Sequence, residues 1–179
     1  MSNPKISPKY EQVITVQQYG QDKKMAGVKT IDLKFFTDDG GEFTELARVQ
    51  DGIIKAVPEF AIKQISWSRL LPGTIKAFHV HRKQTDIWFV SPFERILVGL
   101  ADLREDSPTY NTKMRLVLGG GNAKLLIIPK GVAHGAANIW DTPTNLVYFT
   151  NEEFDPASPD EGRLPYDLFG ADFWKITKG

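Results

Sequence analysis

A chain of 179 residues, 41% hydrophobic and 25% charged, has the make-up of one globular domain long enough to bury a core. Its 22 basic and 22 acidic residues cancel, which removes the footprint of a nucleic-acid or anionic-membrane binder and leaves small-molecule or protein partners. With no cysteine there is no disulfide framework and no thiolate chemistry, which suits a reducing cytosol, and no apolar run approaches membrane-spanning length.

Residues 1–26 are polar and read as an N-terminal arm, with one alternating run, Val13 to Tyr19; it is either an arm that pairs with another chain or a disordered lead-in. They hold no apolar signal core, so the expected location is cytoplasmic. From residue 27 to 179 the expectation is a single domain. Val28 to Phe36, the turn Asp38-Asp39-Gly40-Gly41 and Phe43 to Val49 predict strand, turn, strand. Further strand-like runs follow at Phe60 to Ser68, Thr74 to His81, Ile87 to Val90, Arg95 to Ala101, Met114 to Leu118, Lys124 to Ile128 and Thr144 to Thr150. Glycine- and proline-bearing turns separate them. Many short strands without a helical period predict an all-β sandwich or barrel with little helix. The aromatic tail, with Tyr166, Phe169, Phe173 and Trp174, is expected to pack down on that barrel.

All three histidines fall in two of these places. On an extended strand His79 and His81 point the same way and share one wall of a pocket. The third, His134, follows the Pro129-Lys130-Gly131 turn that stops the run ending at Ile128. Gly73, five residues, His79-x-His81, four residues and Asp86, then Pro129-x-Gly131-x-x-His134-x-x-x-Asn138, resemble the two motifs of the cupin superfamily. These are antiparallel jelly-roll barrels with a site in the barrel's mouth. Asp86 stands where those proteins usually have Glu.

Ala101-Asp102-Leu103-Arg104-Glu105-Asp106-Ser107-Pro108-Thr109-Tyr110 is similar to a signature of the dTDP-4-dehydrorhamnose 3,5-epimerase family. The stretches from Gly27 to Glu45, Ile128 to Gly135 and Asp160 to Trp174 also resemble that family. The resemblance implies an all-β, cupin-type double-stranded jelly roll and a homodimer. It also implies a cofactor-independent epimerase or isomerase of a nucleotide-linked 4-keto sugar, which removes a proton beside the ketone and returns one to the opposite face. His79 falls on the family's catalytic histidine, Tyr148 on its catalytic tyrosine, and His134 on a pocket histidine that orients substrate or steadies the enolate. His has the intrinsic pKa suited to proton abstraction.

Several positions depart from the family pattern. Lys76 replaces an arginine, and on a regular strand it faces away from His79 unless a bulge re-aims it. Gly40 replaces a phosphate-contacting arginine, Asp86 a pocket lysine, and Phe154 a pocket tyrosine. The acidic partner of the catalytic histidine is absent, with Asp86, Asp167 or Asp172 as stand-ins, and Arg48, Lys63, Arg69 or Arg115 could supply the missing positive charge. The expected substrate-binding set is Lys76, His81, His134, Asp86, Asn138, Arg69 and Phe154. Two alternatives stay open. His79, His81 and His134, with Asp86 or an open position, suit a divalent transition metal in a metal-dependent cupin. A pocket stripped of its acid and base partners suits a non-catalytic sugar-binding relative.

Overall fold

The computed structural model describes residues 3–16 and 24–176. Helix is confined there to one turn, α1 (Pro8–Glu11), which buries none of its side chains. The remainder of the Val13 to Tyr19 run beyond Val16 lies outside the described residues, and Val13, Ile14 and Val16 are exposed. Met25, by contrast, is 3% exposed within the main core, so the barrel takes hold of the chain by that residue.

Among the described residues fourteen strands follow. β1 (Lys29–Asp32), β6 (Gln64–Leu70), β8 (Asp86–Phe89), β11 (Lys124–Ile128) and β13 (Thr144–Thr150) form one sheet in the order β1-β11-β8-β13-β6. β7 (Ile75–Val80), β9 (Arg95–Asp102), β10 (Lys113–Gly119), β12 (Val132–Ala137) and β14 (Gly162–Arg163) form the second, in the order β10-β9-β12-β7-β14. All the named pairs are antiparallel. Two small hairpins, β2 (Phe35–Asp38) with β3 (Gly41–Thr44) and β4 (Val49–Gln50) with β5 (Ile53–Ile54), stand apart. The expected Val28 to Phe36 strand is thus two strands, broken at Leu33-Lys34.

The alternation of strand side chains explains why the central strands are apolar on both faces. Trp88, Leu126, Ile128 and Leu146 of the first sheet meet Val98, Leu100, Val132 and Ala136 of the second. The opposite faces have their own covers. Ile87, Phe89, Leu125 and Phe149 are roofed by Ile54, Val57 and Phe60. On the second sheet Phe78, Leu97, Ala133 and Ala137 lie under Trp174, with Phe169 and Phe173 packed alongside. Phe78, fully buried, meets all three tail aromatics at ring separations of 5.0–5.5 Å. Burying such a side chain contributes about 1.5–3 kcal/mol. The tail therefore closes the outer face of β7, the strand that carries His79.

Candidate active site

Between β6 and β7 the sandwich opens into a cavity of about 490 Å³. That is within the usual size of a small-molecule site. His79, His81, Asp86, His134, Tyr148 and Lys76 all line it. His79 lies on the second sheet and Tyr148 on the first, so the two face the cavity from opposing walls.

Lys76 reaches the cavity because β7 is irregular. His134 pairs with His79 and Ala136 with Lys76, so two steps along β12 match three along β7. The additional residue reverses the alternation and puts Lys76 on the same side as His79. Gly135 lets the strands approach there, since a Cβ on it would overlap Ala77. The Lys76 ammonium donates to Ser68 Oγ at 2.8 Å.

The acid beside His79 is one the sequence pattern did not single out. His79 Nδ1 lies 4.0 Å from Glu161 Oε1, whereas Asp86 turns to His134 and Asp172 pairs with Lys175 at 2.6 Å. Glu161 arrives on the carboxy-terminal strap that leads into β14, whose Arg163 is in register with His79. Asp160 anchors that strap. Its carboxylate accepts the backbone N–H groups of Arg82, Lys83 and Gln84, and its carbonyl accepts from His81 Nδ1. Burial lowers the pKa of His79, Glu161 opposes that, and the charges of His134, Arg163 and His81 add to the lowering. Arg163 also lines the cavity and holds Glu161 Oε1 at 2.5 Å, supplying a cation that was not anticipated.

Other expected contacts are elsewhere. Arg69 is on the exposed face of β6, with Ile65 and Trp67, while Ser68 and Leu70 face the cavity. Asn138 is fully buried and structural: its amide donates to the Leu70 and Thr142 carbonyls and its oxygen accepts from Trp140 N–H. Phe154 is 58% exposed and outside the cavity lining. Arg48 and Lys63 are paired with Glu45 and Glu152, and Arg115 with the Phe173 and Lys175 carbonyls.

The metal-ligating set expected from the sequence also changes membership. His81, Asp86 and His134 offer ligand atoms within 4.8 Å of one another, and His79 is not among them. The amide nitrogen of Gln84 sits in this group, 2.6 Å from Asp86 Oδ1 and 3.3 Å from His81 Nε2. It gives a proton to each, in the space where a cation needs bare lone pairs. These residues therefore do not fit a resident metal in this arrangement.

Residues 22–167 match the family model described as dTDP-4-dehydrorhamnose 3,5-epimerase. The chain is 44% identical over 141 residues to the spore coat polysaccharide biosynthesis protein SpsL of Bacillus subtilis, covering 79% of this chain and 89% of that one. It is 34% identical over 140 residues to the probable low-salt glycan biosynthesis epimerase Agl13 of Haloferax volcanii, covering 78% and 87%. Among solved structures it is similar to the dTDP-4-dehydrorhamnose 3,5-epimerase of Bacillus anthracis with TDP and PPi bound, at TM-score 0.72 and 26% identity over 88% of this chain and 90% of that one. A dTDP sugar isomerase from Desulfovibrio desulfuricans gives TM-score 0.69 and 28% identity over 86% and 91%.

Proposed function

The chain belongs to the dTDP-4-dehydrorhamnose 3,5-epimerase family, and on that premise we propose that it inverts a carbon beside the ketone of a nucleotide-linked 4-keto sugar without a cofactor, using His79 as base and Tyr148 as acid. It is an enzyme of the isomerase class, acting as an epimerase. The observation that carries the residue assignment is the placement of His79 and Tyr148 on facing sheets of one cavity, with Glu161 behind His79.

With Nδ1 turned to Glu161, Nε2 is the nitrogen of His79 free to take a proton. The C–H bond beside the ketone breaks, its electron pair becomes the enolate, and the proton goes to His79. Tyr148 then gives its hydroxyl proton to the same carbon from the other wall. Configuration changes and nothing is oxidised or reduced. Glu161 stabilises the imidazolium that forms on His79. Lys76 and Arg163, the cations of the lining, meet the diphosphate of the substrate.

Incubation with 4-keto sugar nucleotides in deuterated water tests this. Wild type should place deuterium beside the ketone, and His79→Ala should slow the exchange by about 10²–10⁴-fold, the usual loss for a positioned base. Tyr148→Phe should keep exchange at the abstracted carbon and lose net inversion. Binding of these substrates without exchange by wild type would favour the non-catalytic alternative.

The same reading makes the protein a cytoplasmic homodimer. Among the described residues no helix is long and apolar enough to cross a membrane. Ile65 and Trp67, each about 60% exposed on the outer face of β6, form the apolar surface that a second copy covers. A monomeric mass by light scattering would refute the dimer.

A further inference from the structure

The carboxylate behind His79 has two claimants. Glu161 Oε1 lies 4.0 Å from His79 Nδ1, about 1 Å beyond hydrogen-bond reach. The same oxygen accepts both the Nε–H of Arg163, at 2.9 Å, and an Nη2–H, at 2.5 Å. In this arrangement the acid is committed to the guanidinium and only faces the histidine. The chain sets up the competition. Glu161 and Arg163 are two residues apart on an extended segment, so both side chains point into the cavity. Arg163 is in register with His79 across the β14–β7 pair, and residues so opposed hold their Cβ atoms about 4.5–5.5 Å apart. Glu161 thus stands within the span of both.

The pair is easily exchanged. The Arg163 side chain is 73% exposed and that of Glu161 25%, and an ion pair so open to water is weak. A guanidinium makes a stronger, two-point bond to a phosphate, which carries more charge than one carboxylate. The other cation of the lining, Lys76, donates to the neutral Ser68 Oγ. Arg163 is therefore the cation whose capture by phosphate sets a carboxylate free.

We propose that Arg163 couples the two ends of the substrate: it holds Glu161 off His79 until a diphosphate draws the guanidinium away, and the freed carboxylate then closes on the Nδ1–H and fixes the ring with Nε2 toward the carbon beside the ketone. Arg163 is a positioning residue for the base as well as a phosphate contact. The inference rests on the epimerase reading and deepens it. Binding energy from the nucleotide end, remote from the reacting carbon, completes the His79–Glu161 pair. A keto sugar without a diphosphate meets a base that lacks its orienting bond, so selectivity for the nucleotide-linked form appears in kcat as well as in KM.

Deuterium exchange beside the ketone, followed on a nucleotide-linked 4-keto sugar and on the methyl glycoside of the same sugar, tests the coupling. Wild type should exchange the glycoside slowly, and about 2- to 5-fold faster with saturating inorganic pyrophosphate, the range that an exposed ion pair can gate. Arg163→Gln leaves Glu161 free at all times. It should exchange the glycoside at the stimulated rate without pyrophosphate, show no further response to it, and have a KM for the nucleotide sugar raised about tenfold or more. A gain on one substrate with a loss on the other is not what a merely structural arginine produces. Arg163→Lys, which keeps the charge without the fork, should restore part of the pyrophosphate response, and Glu161→Gln should abolish it. A wild-type rate on the glycoside that pyrophosphate fails to raise, or an Arg163→Gln protein no faster on it than wild type, would overturn the proposal. The Arg163 Nε–H signal in nitrogen-15 spectra reports the ion pair apart from the reaction. It should shift when pyrophosphate is added to wild type or to His79→Ala, and a signal that stays in place would also overturn the coupling. Absence of exchange by wild type on every nucleotide-linked keto sugar, with that shift intact, would instead remove the epimerase reading.

Discussion

Each sheet of the barrel buries one carboxylate, and the two are used in opposite ways. Asp102, at the end of β9 with 0% exposure, is saturated. The backbone N–H and guanidinium of Arg104 and the hydroxyls of Ser107 and Thr109 all donate to it. Burial resists its ionisation, yet those donors hold its pKa far below the usual carboxylate range. The network also ties down the chain's entry to the barrel, since Arg104 donates to the Ala26 carbonyl at 2.6 Å and Ala26 N–H to Thr109 Oγ1 at 2.9 Å. Asp86 has two firm donors and one long approach from a ring nitrogen. A carboxylate with every lone pair engaged has no capacity left for chemistry and serves as scaffold. One with a lone pair left over beside a cavity can still answer to what enters it.

Substituting each in turn should separate these roles. Asp102→Ala carries the largest expected effect, because removing one member of a buried ion pair costs about 3–5 kcal/mol of stability. The urea midpoint should fall while the molecules that remain folded keep wild-type turnover. Turnover that drops further than the folded fraction would erase the distinction. The pH dependence has a definite sign. A depressed folded pKa gives stability that is fully present above the unfolded value of about 3.9 and is lost as pH falls toward the folded one. Wild type should therefore lose stability on acidification below about pH 4, and in Asp102→Asn this dependence should be weaker, with Asp86 and Asp160 left to contribute to it. Asp86→Asn, which still offers an acceptor to the Gln84 and Trp88 donors, should lower the midpoint less than Asp102→Ala does.

Glu161→Gln should have the smallest effect, a few-fold loss of kcat. Since Glu161 is the neighbour that raises the pKa of His79, its removal should move the acid limb of kcat/KM to lower pH, and Glu161→Asp should restore part of the shift. An acid limb that stays in place would assign Glu161 to substrate contact or structure rather than to His79.

The jelly roll was legible in the sequence because β-branched and aromatic runs at turn-punctuated intervals leave little room for helix. β12 was not, since Val132-Ala-His-Gly-Ala-Ala is built of small residues with weak strand preference, selected by the crowding between β9 and β7. His79, His134, Asp86 and Tyr148 were visible as motif positions, and the structure brings all four to the cavity. Whether Lys76 faces it depends on a one-residue excess in β7 that is defined only by pairing with β12. Arg69 failed as a pocket residue through simple strand alternation, and Asn138 because its three hydrogen bonds are spent holding a turn. Glu161 had no local signal. Its partner lies in a distant strand, and only the strap anchored by Asp160 brings them together.

That strap also sets an order of events during synthesis. His79, the facing wall with Tyr148 and the whole β6–β13 barrel leave the ribosome before Glu161 and the aromatic cover of Phe78. Domains begin to fold as they emerge. A newly closed barrel thus has His79 in place before Glu161 and the aromatic cover of Phe78 reach it. Proteolysis in the exposed stretch from Phe154 to Pro159 would free the strap from its chain connection and loosen the approach of Glu161 to His79.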